Sequence, residues 1–202
     1  MGGTAIKRVY IPVFFAVAAA LTFSAFLLCG CKREYAPKPY GFPRIDRDSV
    51  TYVSFAQSDF PLKFDIPSDA RAELRRNETS SVWIDISYPE YAATLYCTYI
   101  PLNGTGAAAE QRAKATEFVY LHASRASSIE AVSFEGEEIA ATIYRLYGKV
   151  ATPVQFVADD GNAFLLRGAF YFNYDVEPDS VAPVVQYVEE DVRRLVESLK
   201  LR

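Results

Sequence analysis

From Val9 to Leu28 the chain is almost unbroken apolar sequence, relieved only by Pro12, Thr22 and Ser24, and this withdraws the N-terminal segment from any water-soluble core. Lys7 and Arg8 are the only charges among residues 1–31, of which 22 are hydrophobic and none acidic. A short positive region followed by such a run reads as a Sec-type export signal. Its length also sits at the lower limit for a membrane-spanning helix, so hydropathy alone leaves a cleaved signal and a permanent span both open. The exit sequence favours the first. Leu28-Cys29-Gly30-Cys31 has the form of a bacterial lipobox, with an apolar residue, a tolerated small residue and Gly before the Cys whose thiol takes the diacylglyceryl group. Cys29 is the poorer acceptor, because Phe26, Leu27 and Leu28 precede it and are bulky for the peptidase. The expectation is a signal peptide over 1–30 and a mature protein held to the bilayer through acylated Cys31. Each buried methylene contributes about 0.8 kcal/mol, so several acyl chains, such as palmitate, on one Cys anchor stably where a single chain does not.

Removing residues 1–30 takes away two of the 21 basic residues and none of the 25 acidic ones, leaving 172 residues with a formal charge of −6. That length suits one core. An acidic chain without a basic run is not expected to bind nucleic acid, since phosphate neutralisation needs clustered Lys and Arg. One His and a single Cys beyond the lipobox leave no His/Cys zinc site, and no metal or cofactor is expected. G-x-S-x-G, P-loop, H-E-x-x-H and G-x-G-x-x-G patterns are absent from the sequence, so no catalytic residue is assigned and an enzyme is not expected. With Cys29 lost and Cys31 acylated, Cys97 has no disulfide partner, and its place in the alternation Leu95, Cys97, Tyr99 predicts burial as a small hydrophobe.

Residues 31–49 read as a lipidated Cys and a tether rich in Pro and aromatic residues, including Tyr35, Tyr40 and Phe42, with Arg44 among them. The prolines favour an extended, polyproline-II-like spacer, while the aromatic content leaves docking on the domain or on a partner open. Residues 50–202 read as one α+β domain. Phe60 to Ile66, Val82 to Tyr88 and Ala93 to Ile100 alternate with period two, as do Ile139 to Tyr147, Val154 to Ala158 and Phe164 to Tyr174. Asp159-Asp160-Gly161-Asn162 predicts a tight hairpin. Residues 107–128 predict a helix whose apolar face holds Ala115, Phe118, Val119, His122 and Ala126. The last helix is expected to be capped by Asp179-Ser180, with Pro183 in its first turn, an apolar stripe from Val184 to Leu199, and i, i+4 pairs Glu189/Arg193 and Glu190/Arg194 on its wet face. An antiparallel sheet flanked by two main helices follows, an order that resembles the PsbP/Mog1-like sandwich at the level of topology and carries no function.

His122 on an apolar helix face reads first as a neutral, hydrogen-bonded side chain, and second as a contact for a ligand. Arg167, amid apolar strand sequence, reads as a structural ion pair, a snorkelling side chain or a ligand contact. His122, Arg167, Tyr35 and Arg44 are the candidate ligand or partner contacts. Asp48-Ser49-Val50 and Asp179-Ser180-Val181 match the short O-glycosylation acceptor pattern of Bacteroidetes periplasmic proteins; Ser49, beside the tether, is the candidate, and Ser180 reads as a helix cap.

Tyr35-Ala-Pro-Lys-Pro-Tyr-Gly-Phe-Pro-Arg-Ile45, Tyr120-Leu121-His122 and Pro153-Val-Gln-Phe-Val157 carry a more specific signal. So do Phe164-Leu-Leu-Arg-Gly-Ala-Phe-Tyr-Phe-Asn173 and the end from Asp179-Ser-Val-Ala-Pro183 to Leu199-Lys200. With the lipobox, these resemble the GldD family of gliding motility lipoproteins of Bacteroidetes over nearly all of the mature chain. The resemblance implies a cell-envelope lipoprotein of the gliding apparatus, coupled to type IX secretion, whose partners are membrane or envelope proteins of that machinery. It implies no catalytic residues. The alternative function is a lipoprotein that binds a small ligand or an envelope polymer near His122, Arg167 and the tyrosines.

Overall fold

A computed structural model describes residues 45–47, 49–76, 81–121, 125–136 and 138–202, all within a compact unit running from Phe42 to Arg202. Val82, Ile84, Ile86 and Tyr88 are buried along β4 (Val82–Tyr88), while Trp83, Asp85 and Ser87 point the other way. Pro89 lacks the N–H needed to continue the ladder, so the chain leaves it through a 3-10 turn, Pro89–Tyr91, closed by Ala92 in the left-handed region at φ 44°. It then returns as β5 (Ala93–Pro101), antiparallel to β4 as the spacing predicts. The second hairpin joins β8 (Val154–Asp159) to β9 (Phe164–Phe172). Gly161 supplies φ +73° there, and Asp160 Oδ1 accepts the N–H groups of Asn162, Ala163 and Phe164 at 2.7–3.1 Å. Burial raises the Asp160 pKa, but these backbone donors outweigh it and hold the carboxyl below its ordinary range.

One sheet of seven strands has the order β3-β4-β5-β9-β8-β7-β6, with β3 Arg71–Arg76, β6 Ser128–Glu135 and β7 Ala140–Tyr147, every neighbouring pair antiparallel. After β5 the chain crosses one face of this sheet as α1 (Thr105–Leu121) and enters at the far edge as β6. A meander from β6 to β9 then brings it back against β5. A second sheet, β1-β2-β10, comprises Tyr52–Ala56, Leu62–Pro67 and Lys200–Leu201. The fold is α+β.

The sheet has a core on each face. On one side Ile84, Ile86, Leu95, Phe156, Leu166 and Phe170 pack with Phe64 of the small sheet and with Val188, Val192 and Leu195 of α2 (Pro178–Ser198). On the other side Tyr144, Leu146, Val157 and Leu165 meet Ala108, Ala115 and Val119 of α1. Cys97 is buried in the first core, where burial pushes its thiol pKa up.

Four details depart from the sequence expectation. The first helix ends its described span at Leu121 and Ser128 already opens β6, so the predicted helix to 128 is too long; Phe118 is half exposed although it shares the predicted apolar face. The last helix starts earlier than expected. Pro178 occupies the first turn after Glu177, which places Asp179 and Ser180 inside the helix and Pro183 beyond its first turn. Ser180 Oγ therefore donates back to the Glu177 carbonyl at 2.7 Å instead of capping. The i, i+4 pairs of that helix give way to tertiary ones: Glu189 meets Arg145 at 3.4 Å, Arg194 meets Asp65 at 2.6 Å, and Arg193 lies over the Phe134 ring.

Gly168 sits on the α2 side of β9 directly opposite Phe156, whose ring is 1% exposed and lies where a Cβ would be. Gly168→Ala is expected to destabilise the protein by about 1–3 kcal/mol through overpacking. Gly106→Ala in α1, where a Cβ meets nothing within 4 Å, is expected to be neutral or to stabilise by up to about 1 kcal/mol. Urea denaturation of the two variants checks the contrast.

Candidate functional site

Residues 45–47, which the sequence assigns to the tether, pack against α2. Arg47 Nη1 donates to both Asp191 oxygens at 2.9 and 2.8 Å, and its Nη2 donates to Asp69 Oδ1 at 3.3 Å. Tyr52 Oη donates to Asp191 Oδ1 at 2.8 Å, and Tyr187 Oη donates to the Ile45 carbonyl at 3.0 Å. The Arg47 and Asp191 side chains are only 7% and 1% exposed. Asp191 belongs to α2 and interrupts its valine stripe, three residues after Val188 and next to Val192.

Burial pushes the Asp191 carboxyl up from its ordinary value and outweighs the Tyr52 hydrogen bond and the Arg47 charge that pull it down. Tyr52 is pushed up to about 12, by burial and then by its bond to Asp191. For Arg47 burial opposes the charge, yet Asp191 and Asp69 hold the guanidinium above its ordinary value. A buried ion pair of this kind is costly to form and costlier to leave half-made. Asp191→Leu or Arg47→Met alone is expected to lower stability by about 3–5 kcal/mol, while the double variant loses less because no unpaired charge remains buried. Thermal and urea denaturation of the three proteins measure the coupling.

The second candidate region lies under α1. Arg167 is central in β9, flanked by Thr98 of β5 and Val157 of β8; the next residue on that face, Ala169, is flanked by Tyr96 and Gln155. With Ala115, Phe118 and Val119 of α1 above them, these residues enclose a cavity of about 290 Å³. The Arg167 guanidinium carbon is 4.9 Å from the Phe118 ring centroid, a cation–π contact. The ion pair considered for Arg167 is not formed among the described residues. Asp159, two residues along β8 from Val157, has both oxygens engaged by Arg112, and Asp85 on β4 is engaged by Arg75. Gln155 is 6% exposed, and its Nε2 is buried without a hydrogen-bond partner among the described residues.

A larger cleft of about 570 Å³ lies between the β7–β8 turn, the end of β9 and the start of α2. Its charges are of both signs, with Arg125 and Lys149 against Asp175 and Asp179.

Cys31, Tyr35, Arg44 and His122 lie outside the described residues. Ser49 is exposed just before β1, while Ser180 is part of α2. Among the described residues no group of three or more His, Cys, Asp or Glu is placed to hold a metal, and no helix is long and apolar enough to cross a membrane. Sequence reasoning missed Arg47, Asp191 and Gln155. Asp191 carried a usable signal: helical spacing from Val188 and Leu195 puts it on the buried stripe, where a lone carboxylate calls for a partner.

No curated protein matches the chain. The model of a family described as gliding motility lipoprotein GldD matches residues 32–201, nearly all of the region beyond the lipobox, and the chain therefore belongs to the GldD family.

Proposed function

We propose that the protein is a non-enzymatic accessory of the gliding machinery, coupled to type IX secretion, tethered by acylated Cys31 with its domain facing the periplasm. Family membership supplies involvement in gliding motility and the lipid-anchored envelope location. The buried Arg47–Asp191 pair supports a load-holding, structural role for the domain. Ile45 lies fourteen residue steps beyond Cys31. At about 3.1 Å per residue for polyproline-II geometry, this is a reach of about 43 Å. Just beyond Ile45, Arg47 is bonded to Asp191 of α2. Tension on the anchor therefore enters the core through Arg47 and not through a slack surface loop, which suits a component that must hold position in a moving apparatus.

Deleting the gene in the source organism is expected to stop colony spreading and to retain type IX cargo in the cells. A Cys31→Ala copy is expected not to restore either, with the protein released from the membrane fraction. A deletion strain that spreads and secretes like its parent would sink the reading.

A second reading, a lipoprotein that binds a small ligand or an envelope polymer, is favoured by one observation. The cavity beside Arg167 contains an amide, that of Gln155, whose buried Nε2 has no partner among the described residues.

A further inference from the structure

We propose that the cavity under α1 binds an acidic sugar residue, its carboxylate held by the Arg167 guanidinium and the Gln155 amide. The proposal rests on the ligand-binding reading above and names its substrate class.

Size comes first. About 290 Å³ is at the small end of ligand pockets and accommodates one ring-sized group, with Ala169 leaving the floor open where a longer side chain would fill it. Charge comes next. Arg167 has no ion pair among the described residues: Asp159 on the adjacent strand β8 is occupied by Arg112, and Asp85 on β4, beyond β5, by Arg75. The cation–π contact with Phe118 places the guanidinium at the cavity, and a guanidinium takes a carboxylate in a paired geometry through its N–H groups. The buried Gln155 amide supplies a further donor that no group among the described residues satisfies, and Thr98 adds a polar residue beside Arg167.

Aromatic rings complete the case for a sugar. Tyr96 and Tyr171 meet edge to face, with centroids 5.9 Å apart, and both line the cavity. Tyr96 is 44% exposed, so a ring face at the mouth is open to the C–H face of a pyranose. Trp83, 39% exposed and paired with Thr98, extends this surface onto the part of the sheet beyond the cavity, where further units of a polymer would lie.

The full-length lipoprotein in detergent is titrated with glucuronate, glucose and glucuronate-containing hyaluronan oligosaccharides, using calorimetry and ligand-observed NMR. Glucuronate is expected to bind at least about tenfold more tightly than glucose, a difference of about 1.4 kcal/mol. Arg167→Met is expected to abolish that preference, Arg167→Lys to retain part of it, and Gln155→Leu to weaken glucuronate several-fold, each with circular dichroism showing a folded protein. If Arg167→Met does not fold, the Gln155→Leu variant and the comparison of acid with neutral sugar still decide. Oligosaccharide binding tighter than the monosaccharide supports the site and assigns it to an envelope glycan; equal binding supports the site and assigns it to a free sugar. Equal affinity for glucuronate and glucose, or a folded Arg167→Met protein that keeps the preference, overturns the acidic class and leaves the ligand-binding reading standing. Absence of binding by every sugar overturns both.

Discussion

The nine residue pairs between β5 and β9, from Ala93↔Phe172 to Pro101↔Phe164, join two blocks of sheet that are built separately along the chain. On one side stands the β3-β4-β5 run, on the other the meander from β6 to β9. Each block alone would have an open edge and one poorly covered face. Their union makes a continuous surface broad enough to separate two cores and to position α1 and α2 on opposite faces. The pairing also has a strict register. A slip of one residue would turn Leu166 and Phe170 toward α1 and Arg167 into the larger core, so the alternation of β9 itself guards against it.

The two candidate regions use this arrangement differently. On the α2 face, a buried ion pair fastens the first described residues of the domain to its terminal helix. On the α1 face, small residues do the shaping. Ala108 and Ala115 bring the helix close to the sheet at its start and middle, while Ala169 and the half-exposed Phe118 leave the space beside Arg167 unfilled. One side of the sheet is thus bonded for permanence and the other is left incomplete.

Strong local patterns were legible. The period-two runs, the Asp160-Gly161 hairpin and the α2 stripe each depend on neighbours in sequence, and each is present close to where the sequence puts it. The edge strand β3 was not, because Arg71-Ala-Glu-Leu-Arg-Arg76 reads as charged surface. Its strand conformation comes from pairing with β4, and its Arg side chains suit an exposed edge. The start of α2 was misplaced because Asp179-Ser180 has the form of a cap, whereas the actual N-cap, Glu177, makes no side-chain capping bond and leaves only Pro178 to mark the start. The helix pairs Glu189/Arg193 and Glu190/Arg194 failed for a related reason: Arg145 and Asp65 sit closer in space than the partners one turn away.

Sequence by itself determined that an apolar run precedes Cys31, that an acidic region of α+β pattern lies beyond it, and which stretches mark the GldD family. These follow from composition, from periods of 2 and 3.6 residues, and from short specific runs, all of which are local. Tertiary structure alone decided that Arg47 meets Asp191 across 144 residues, and that Arg167, Gln155 and Phe118 from three different elements surround one cavity. Such contacts depend on which strand lies beside which and on which face a helix covers, and that outcome is set by how the whole apolar surface is buried at once.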